Sequence, residues 1–510
     1  MTFARRAVVH GLVLATGLLP LLPLHAIRGA DPRIADSAGR QVLLRGVDVD
    51  ALGHYYQQYP KYPAVLPLTA NDFKEMAGLG FNVVRLILNW SELEPTPGAF
   101  NLSYVARIRR AVQQAGANGI YVVLDMHQDA WGIGVMGHAG EDCPPESSPP
   151  VGYDGAPEWA TFTDGLPTCA IAGTREISLA DEAAWQNFYD NTHGIETQLA
   201  LAWGRLAAQF ARDPTVAGYD LLNEPNPGLI FDEATGGLGN YYSEALAAIR
   251  TGERSVKGGF SHIAFFEPGV EWSLLGTTVT PQGAFTRDPN IVFAPHLYGG
   301  SLAVASVDQG VHEAQVAAAP YKTTVWSGEY GWYGDPAQNA ADEIELAREQ
   351  DAHLWGGAWW QWKQACGSPS SVGNFGGAIP TETNSLIRFG CKTPLPSAKL
   401  APANNLAIPQ VTERIIARAT VHAAPGKIES LRSTPATGAF SLTGNTTTRP
   451  ATRLACMLAV WIPGARKPRF ATTGITKLKA TRVRGGYDVS GCARGHYQLR
   501  LLDPAPRVPG

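Results

Sequence analysis

The 510 residues carry 41 Lys and Arg against 45 Asp and Glu, a formal net charge of −4, so the chain as a whole lacks the basic footprint of a nucleic-acid binder. This length accommodates two domains, one of them large enough for an α/β barrel. Fifty-five Gly, 37 Pro and 13 Trp predict many loops and an aromatic-rich site.

At the N-terminus, Arg5-Arg6, an apolar run over 7–24 and small residues at Ala26 and Ala30 read as a signal peptide spanning 1–30. Gly11, Gly17, Pro20 and Pro23 interrupt the run, which favours cleavage and secretion over a spanning anchor. A retained anchor, with the protein associated with the envelope, stays open. Six cysteines in an exported chain predict disulfides, and sequence neighbours pair them as Cys143–Cys169, Cys366–Cys391 and Cys456–Cys492. No Cys-x-x-Cys motif or Cys/His cluster supports the rival metal reading.

Residues 41–47 form the first predicted strand, followed by Asp48 and Asp50. The loop over 51–67, with Tyr55, Tyr56, Tyr59, Lys61 and Tyr62, is either solvated or a substrate wall. Thr69 caps a helix that runs towards Leu79 and closes at Gly80. The second strand, 81–88, is apolar except for Arg85, whose buried charge requires a carboxylate partner. An amphipathic helix over 102–118 leads to a third strand, 120–129. Alternation there points Asp125, His127 and Asp129 the same way, towards sugar hydroxyls or, lacking a fourth ligand, less readily towards a metal.

A Gly/Pro-rich insertion over 131–180 encloses the first cysteine pair and reads as an ordered lid, its Trp131, Trp159 and Phe162 hinting at lipid acceptance. After a helical stretch, 181–212, the short apolar run 216–222 ends in Asn223-Glu224-Pro225. Strand five is 263–267, and strand six, 290–298, ends in His296 and Tyr298. A helix over 241–250 precedes strand five. Strand seven, 323–331, carries Glu329, and a helix over 335–354 leads to strand eight, 356–363, with Trp360. Eight strand-like runs spaced by helices predict a (β/α)8 TIM barrel over 31–393. Beyond a Pro-rich linker starting at Pro394, turn signals and strands over 412–421 and 481–502 predict a small β-sandwich domain, 394–510. In such a barrel Glu224 and Glu329 lie at the ends of strands that face each other across the mouth, where paired carboxylates perform glycoside hydrolysis.

In order at successive strand ends, Arg85, His127, Asn223-Glu224-Pro225, His296-x-Tyr298, Glu329 and Trp360 resemble glycoside hydrolase family 5. Within that family, 124–129, 219–225 and 294–298 look like endoglycoceramidases, which cut between glycan and ceramide in glycosphingolipids. The resemblance implies Glu224 as acid/base, Glu329 as nucleophile, and Arg85 with Tyr298 holding Glu329 ionised. It further implies that Asn223, His127 and His296 orient the sugar and the acid/base. Lys61, Asp125 and Asp129 would grip the first sugar above Trp360. No metal or organic cofactor is implied, the expected partner is a glycosphingolipid at a membrane or micelle surface, and the expected state is a monomer. An endo-β-glucanase or another β-glycosidase on soluble glycans is the alternative, and a non-catalytic carbohydrate- or lipid-binding protein a remote one.

Overall fold

The computed structural model describes residues 20–55, 62–135, 141–145, 147–148, 154–171, 174–276, 278–368, 385–388, 391, 410–446, 452 and 454–505. Eight parallel strands form the central sheet: β1 (Arg45–Val49), β2 (Val83–Leu88), β3 (Tyr121–Met126), β4 (Val216–Asp220), β5 (Ile263–Phe266), β6 (Ile291–Phe293), β7 (Trp326–Tyr330) and β8 (Gly356–Trp359). β8 pairs with β1, and parallel bridges Phe293–Val325 and Leu297–Tyr330 join β6 to β7, so the sheet closes into a barrel. The expected first strand begins later than its apolar pattern, because Arg40–Gln41 pair instead with a neighbouring antiparallel sheet.

The pleat sorts each strand into two environments. On β2, Val84, Leu86 and Leu88 join the large core beneath the helices, while Val83 packs in the barrel interior with Val123, Phe265, Val292 and Trp326. Two residues further along the inward-facing row, Val83, Val123 and Phe265 give way to Arg85, Asp125 and Glu267. The barrel is therefore apolar below and charged at its top.

Helices cover the outside. The first, Ala70–Gly78, has a capping box between Thr69 and Asp72, and Leu102–Gly116 is capped by Asn101. The predicted helical stretch 181–212 is two helices, Leu179–Tyr189 and Ile195–Phe210, broken where Asn191, His193 and Gly194 take positive φ. The helix expected over 241–250 is longer, Phe231–Ser255.

The C-terminal strands are β9 (Thr420–Pro425), β10 (Lys427–Thr434), β11 (Ala439–Asn445), β12 (Met457–Pro463), β13 (Phe470–Arg482) and β14 (Gly486–Leu501). β14 pairs with β12 along its first half, with β11 along its second, and with β13 throughout. The two halves thus form two layers, and Val421, Leu458, Phe440, Leu442, Val489 and Leu499 share one core between them. One expectation fails here: the run 412–421 is helix Gln410–Ile416 followed by β9, and Val411 and Ile415, one helical turn apart, pack against Ala340, Ile344 and Ala347 of helix Pro336–Ala352. The linker expected after Pro394 lies outside the described residues.

Leu24–Ile27, Arg33–Asp36 and Arg40–Gln41 form an antiparallel ribbon that continues through β9 into the C-terminal domain. Ala26 N–H donates to Asn290 Oδ1 at 2.7 Å and Leu24 is buried in the barrel-interior core. Part of the expected 1–30 leader is therefore built into the fold, and a cleavage that leaves this ribbon whole falls before Leu24. The three disulfides Cys143–Cys169, Cys366–Cys391 and Cys456–Cys492 are all formed. Among the described residues no helix is long and apolar enough to cross a membrane.

Candidate active site

Arg85 is the hub of the charged layer. Fully buried, its guanidinium lies 2.8 Å from Asp220, Glu267 and Glu329, 3.0 Å from Asp125 and 3.4 Å from Asp48, and donates to Asn223 Oδ1 at 2.9 Å. Arg85 shares its single charge among these five carboxylates. Burial pushes Asp48 and Asp220 well above the usual carboxylate range despite Arg85. Burial also raises Glu329, against the opposing pull of His296 and Arg85.

Above this layer stand the two expected glutamates. Glu329, at the end of β7, gives Oε1 to Arg85 and accepts from the Tyr298 hydroxyl on Oε2 at 2.7 Å. Glu224 follows β4 with φ of 37°, a left-handed conformation uncommon outside glycine. Gln128 Nε2 holds that turn by donating to the carbonyls of Asn223 and Glu224 at 2.7 and 2.8 Å, and Glu267 Oε2 accepts the Glu224 N–H at 2.8 Å. The Glu224 carboxylate accepts from His296 Nδ1 at 2.7 Å and from the Ser273 hydroxyl in a short contact. His296 also lies 3.5 Å from Glu329 and, through Nε2, 3.2 Å from Glu267. Burial alone would lower the imidazole, but Glu267, Glu329 and Glu224 together hold it well above its ordinary value. Gly328 makes room for it: a Cβ there would stand 2.9 Å from His296 Nε2. One carboxylate oxygen each of Glu224 and Glu329 and a ring nitrogen of His296 all lie within 4.8 Å of one another.

The remaining expected residues divide. His127 is buried and stacks on Trp360, ring centroids 5.6 Å apart and planes at 10°. Asp125 does not reach the surface: it is wholly buried, Oδ1 against Arg85 and Oδ2 2.8 Å from His127 Nδ1, so it braces these two rather than gripping a sugar. Asn223 spends Oδ1 on Arg85 and one N–H on Gln128 O, which leaves its second amide hydrogen for a ligand. Asp129 lies 2.7 Å from Arg175, a lid residue, and 3.7 Å from His127. Lys61 lies outside the described residues.

The lid contributes differently from what its aromatics promise. Trp131 is buried against Trp90, Trp185 and Phe188, and Trp159 sits edge-on to Trp90 with its indole N–H on Glu94 O. Phe162 packs beside His193. These rings fasten the lid to the barrel flank. Instead Arg175 and Glu176 reach inward, to Asp129 and, through the Glu176 carbonyl, to Asn226.

Sequence reading passes over Gln128, Arg175, Glu267 and Ser273 as site residues. Glu267 ends β5 as Glu329 ends β7, a legible signal. Ser273 lies on a one-turn helix, Trp272–Leu275, after β5 and gives none. His127, Asp129 and Asp154 could place three ligand atoms around a cation, but Arg175 already supplies Asp129 with positive charge.

A closed (β/α)8 barrel with two glutamates facing each other at the C-terminal ends of β4 and β7 defines the class of barrel glycoside hydrolases. The model of the cellulase family, glycosyl hydrolase family 5, matches residues 35–365, and the chain belongs to that family. Endoglycoceramidase I of Rhodococcus hoagii is 32% identical over 302 residues, 55% of this chain and 54% of the relative. An endoglycoceramidase of Cyanea nozakii is 29% identical over 300 residues, 51% of this chain and 54% of its own. These matches span about half the length of the curated relatives. The crystal structure of endogalactoceramidase superimposes with a TM-score of 0.84 at 42% identity, over 95% of this chain and 100% of that one. The ganglioside GM3 complex of endo-glycoceramidase II from Rhodococcus sp. shares the fold at 21% identity and a TM-score of 0.68, over 93% and 99% of the two chains.

Proposed function

We propose that the chain is a secreted, retaining β-glycoside hydrolase that releases the glycan of a glycosphingolipid from its ceramide. The observation that carries the reaction type is the approach of the Glu224 and Glu329 oxygens to within 4.8 Å, which suits a direct attack better than the wider gap an inverting enzyme needs for water. Their partners divide the roles. Glu329, between the Arg85 cation and the Tyr298 hydroxyl, is the nucleophile. It attacks the anomeric carbon as the bond from that carbon to the ceramide oxygen breaks, and Glu224 gives its proton to that oxygen.

In the second step Glu224 takes a proton from water, the resulting hydroxide attacks the anomeric carbon, and Glu329 leaves. His296 and Ser273 both bind Glu224, so they keep its oxygen aimed through each transfer. Trp360, braced by His127, offers a flat apolar surface to the sugar. The second N–H of Asn223 can donate to the sugar 2-hydroxyl, and the family resemblance assigns Asp129 and Lys61 to further hydroxyls.

Two observations support a lipid aglycone. Endogalactoceramidase, similar over nearly the whole chain, names a ceramide-linked substrate. Exposed Leu229, Ile230 and Phe231 follow β4, Leu274 and Leu275 follow β5 beside Ser273, and Val304 follows β6. Val304 N–H donates to Leu274 O, so two of these loops join on the Glu224 side of the mouth. Such a rim suits a membrane or micelle at the leaving-group side. The three disulfides support an exported protein.

The test is hydrolysis of a ganglioside, lactosylceramide and carboxymethylcellulose in detergent, beside Glu329→Gln. Intact oligosaccharide with free ceramide, absent from the variant, is expected. Cleavage of the soluble polymer alone would keep the chemistry and overturn the glycolipid substrate.

A further inference from the structure

The near-neutral total conceals two oppositely charged parts. Residues 410–510 hold 16 Lys and Arg against four Asp and Glu, although the whole chain holds 41 against 45. Everything before residue 410 is therefore strongly acidic, and the C-terminal domain strongly basic. The imbalance concentrates on one structural unit. Over 466–500, the approach to β13 and the β13–β14 hairpin, nine residues are Lys or Arg and one, Asp488, is acidic.

Most of these cations have nothing to neutralise them. Arg466, Lys467, Lys477, Lys479, Arg494 and Arg500 are exposed and have no ion-pair partner among the described residues. Arg469, by contrast, pairs with Asp503, and Arg482 donates to the Gly464 and Gly486 carbonyls. β13 itself is an edge strand, bonded on one side only to β14, and most of its residues are exposed. Lys side chains on an edge strand guard it against pairing with another chain, and their charge is left to act on a larger anionic surface.

The position of the hairpin indicates which anionic partner it meets. The Arg484 side chain packs on Gly78, and Trp461 lies under Gly80, in the turn that feeds β2 from below. The basic hairpin thus sits at the N-terminal end of the barrel strands, opposite Glu224 and Glu329. At the same junction a cavity of about 330 Å³ is lined by Pro20 and Leu21 together with Thr481, Val483 and Arg484. The chain preceding Pro20, apolar over 7–19, therefore joins the fold beside the basic hairpin. Whenever that segment is held in a bilayer, the bilayer is next to this face. Leu478, on the same strand, is also exposed.

We propose that the basic face of the β13–β14 hairpin is a docking surface for a lipid bilayer rich in anionic headgroups. A nucleic acid or an acidic polysaccharide would match the charge but not the apolar segment that enters beside it. Each Lys or Arg near an anionic bilayer tightens binding about fivefold, so a handful suffices for measurable binding. Docking by this face leaves the barrel mouth open on the far side. The proposal stands independently of the glycolipid reading, since it concerns neither glutamate.

The full chain is sedimented with phosphatidylcholine vesicles, with and without phosphatidylglycerol, beside a variant carrying Lys477→Glu, Lys479→Glu, Arg494→Glu and Arg500→Glu. The expected result is at least about tenfold tighter partition to the phosphatidylglycerol vesicles, erased in high salt and in the variant. Comparing two vesicle types cancels any contribution from the apolar segment itself. Hydrolysis of a soluble aryl glycoside at the wild-type rate shows that the variant is folded. Should it misfold, Lys477→Glu with Lys479→Glu alone is expected to reduce the contrast about threefold or more. Equal partition to both vesicles, or a folded variant that binds as the wild type does, would overturn the proposal. Tighter capture by alginate or duplex DNA than by phosphatidylglycerol vesicles would overturn the choice of a lipid partner.

Discussion

The top of the barrel and the C-terminal hairpin are both dense in charge, yet they handle it in opposite ways. Around Arg85 five carboxylates are withdrawn from water and fixed to one guanidinium. Along β13 and β14 the cations stand in solvent, most without an ion-pair partner. In low dielectric a charge is felt strongly by its neighbours, so the first arrangement fixes protonation and geometry for chemistry. In water the same charge is screened and can act only collectively, on a large opposite surface. Burial, rather than the number of charges, separates a catalytic region from an associating one.

The largest effect expected from this contrast is on turnover. Glu224→Gln and Glu329→Gln should each lower kcat by about 10³-fold or more on a natural glycolipid. The two should differ on an aryl glycoside whose phenol leaves without protonation: Glu224→Gln regains much of its first-step rate, and Glu329→Gln regains none. Equal losses on both substrates would merge the two roles.

Stability should follow burial next. Arg85→Lys leaves several carboxylates without a partner and is expected to cost about 3–5 kcal/mol in urea unfolding. Arg494→Glu, an exposed site, should stay within about 0.5 kcal/mol. A mild Arg85 variant would mean that the acidic layer holds itself together through shared protons.

Ser273→Ala removes one of the two donors on Glu224 and should lower kcat by about thirtyfold, the worth of a hydrogen bond to a charged group. Loss confined to KM would place Ser273 in substrate binding instead.

The smallest effect lies where a barrel helix meets the start of the C-terminal domain. Glu343, on helix Pro336–Ala352, accepts from Thr412 at 2.7 Å, and burial pushes its carboxyl up to about 7. The folded protein thus keeps a proton that the unfolded chain loses at about 4.3. Its contribution is complete below that value and fades as pH rises through about 7. Glu343→Gln should flatten this stretch of the curve of Tm against pH. An unchanged slope would place the proton elsewhere.

What the sequence revealed depended on periodicity and on position at strand ends. Eight apolar runs disclosed the barrel, and Glu224, His296, Tyr298 and Glu329 announced themselves by terminating such runs. Arg85 was legible as a buried cation, but not the number of its partners, because Asp48, Asp220 and Glu267 become neighbours only on closure of the barrel. The lid misled: Trp131 and Trp159 look like ligand-binding aromatics until their packing on Trp90 is seen. Residues 412–421 read as a strand because Val, Ile and Thr favour strands, and Val411 and Ile415 reveal helical spacing only through what they touch. Net charge averaged two opposite domains into near neutrality, so the basic hairpin emerged only once exposure was known.

The central claim is that Glu329 attacks the sugar directly. Incubation with a 2-deoxy-2-fluoro glycosyl fluoride, which forms the glycosyl-enzyme but releases it slowly, followed by peptide mass spectrometry, tests this most directly. The account predicts one glycosyl adduct, on the peptide containing Glu329, absent from Glu329→Gln. An adduct on Glu224, or steady turnover with no adduct at all, would contradict it.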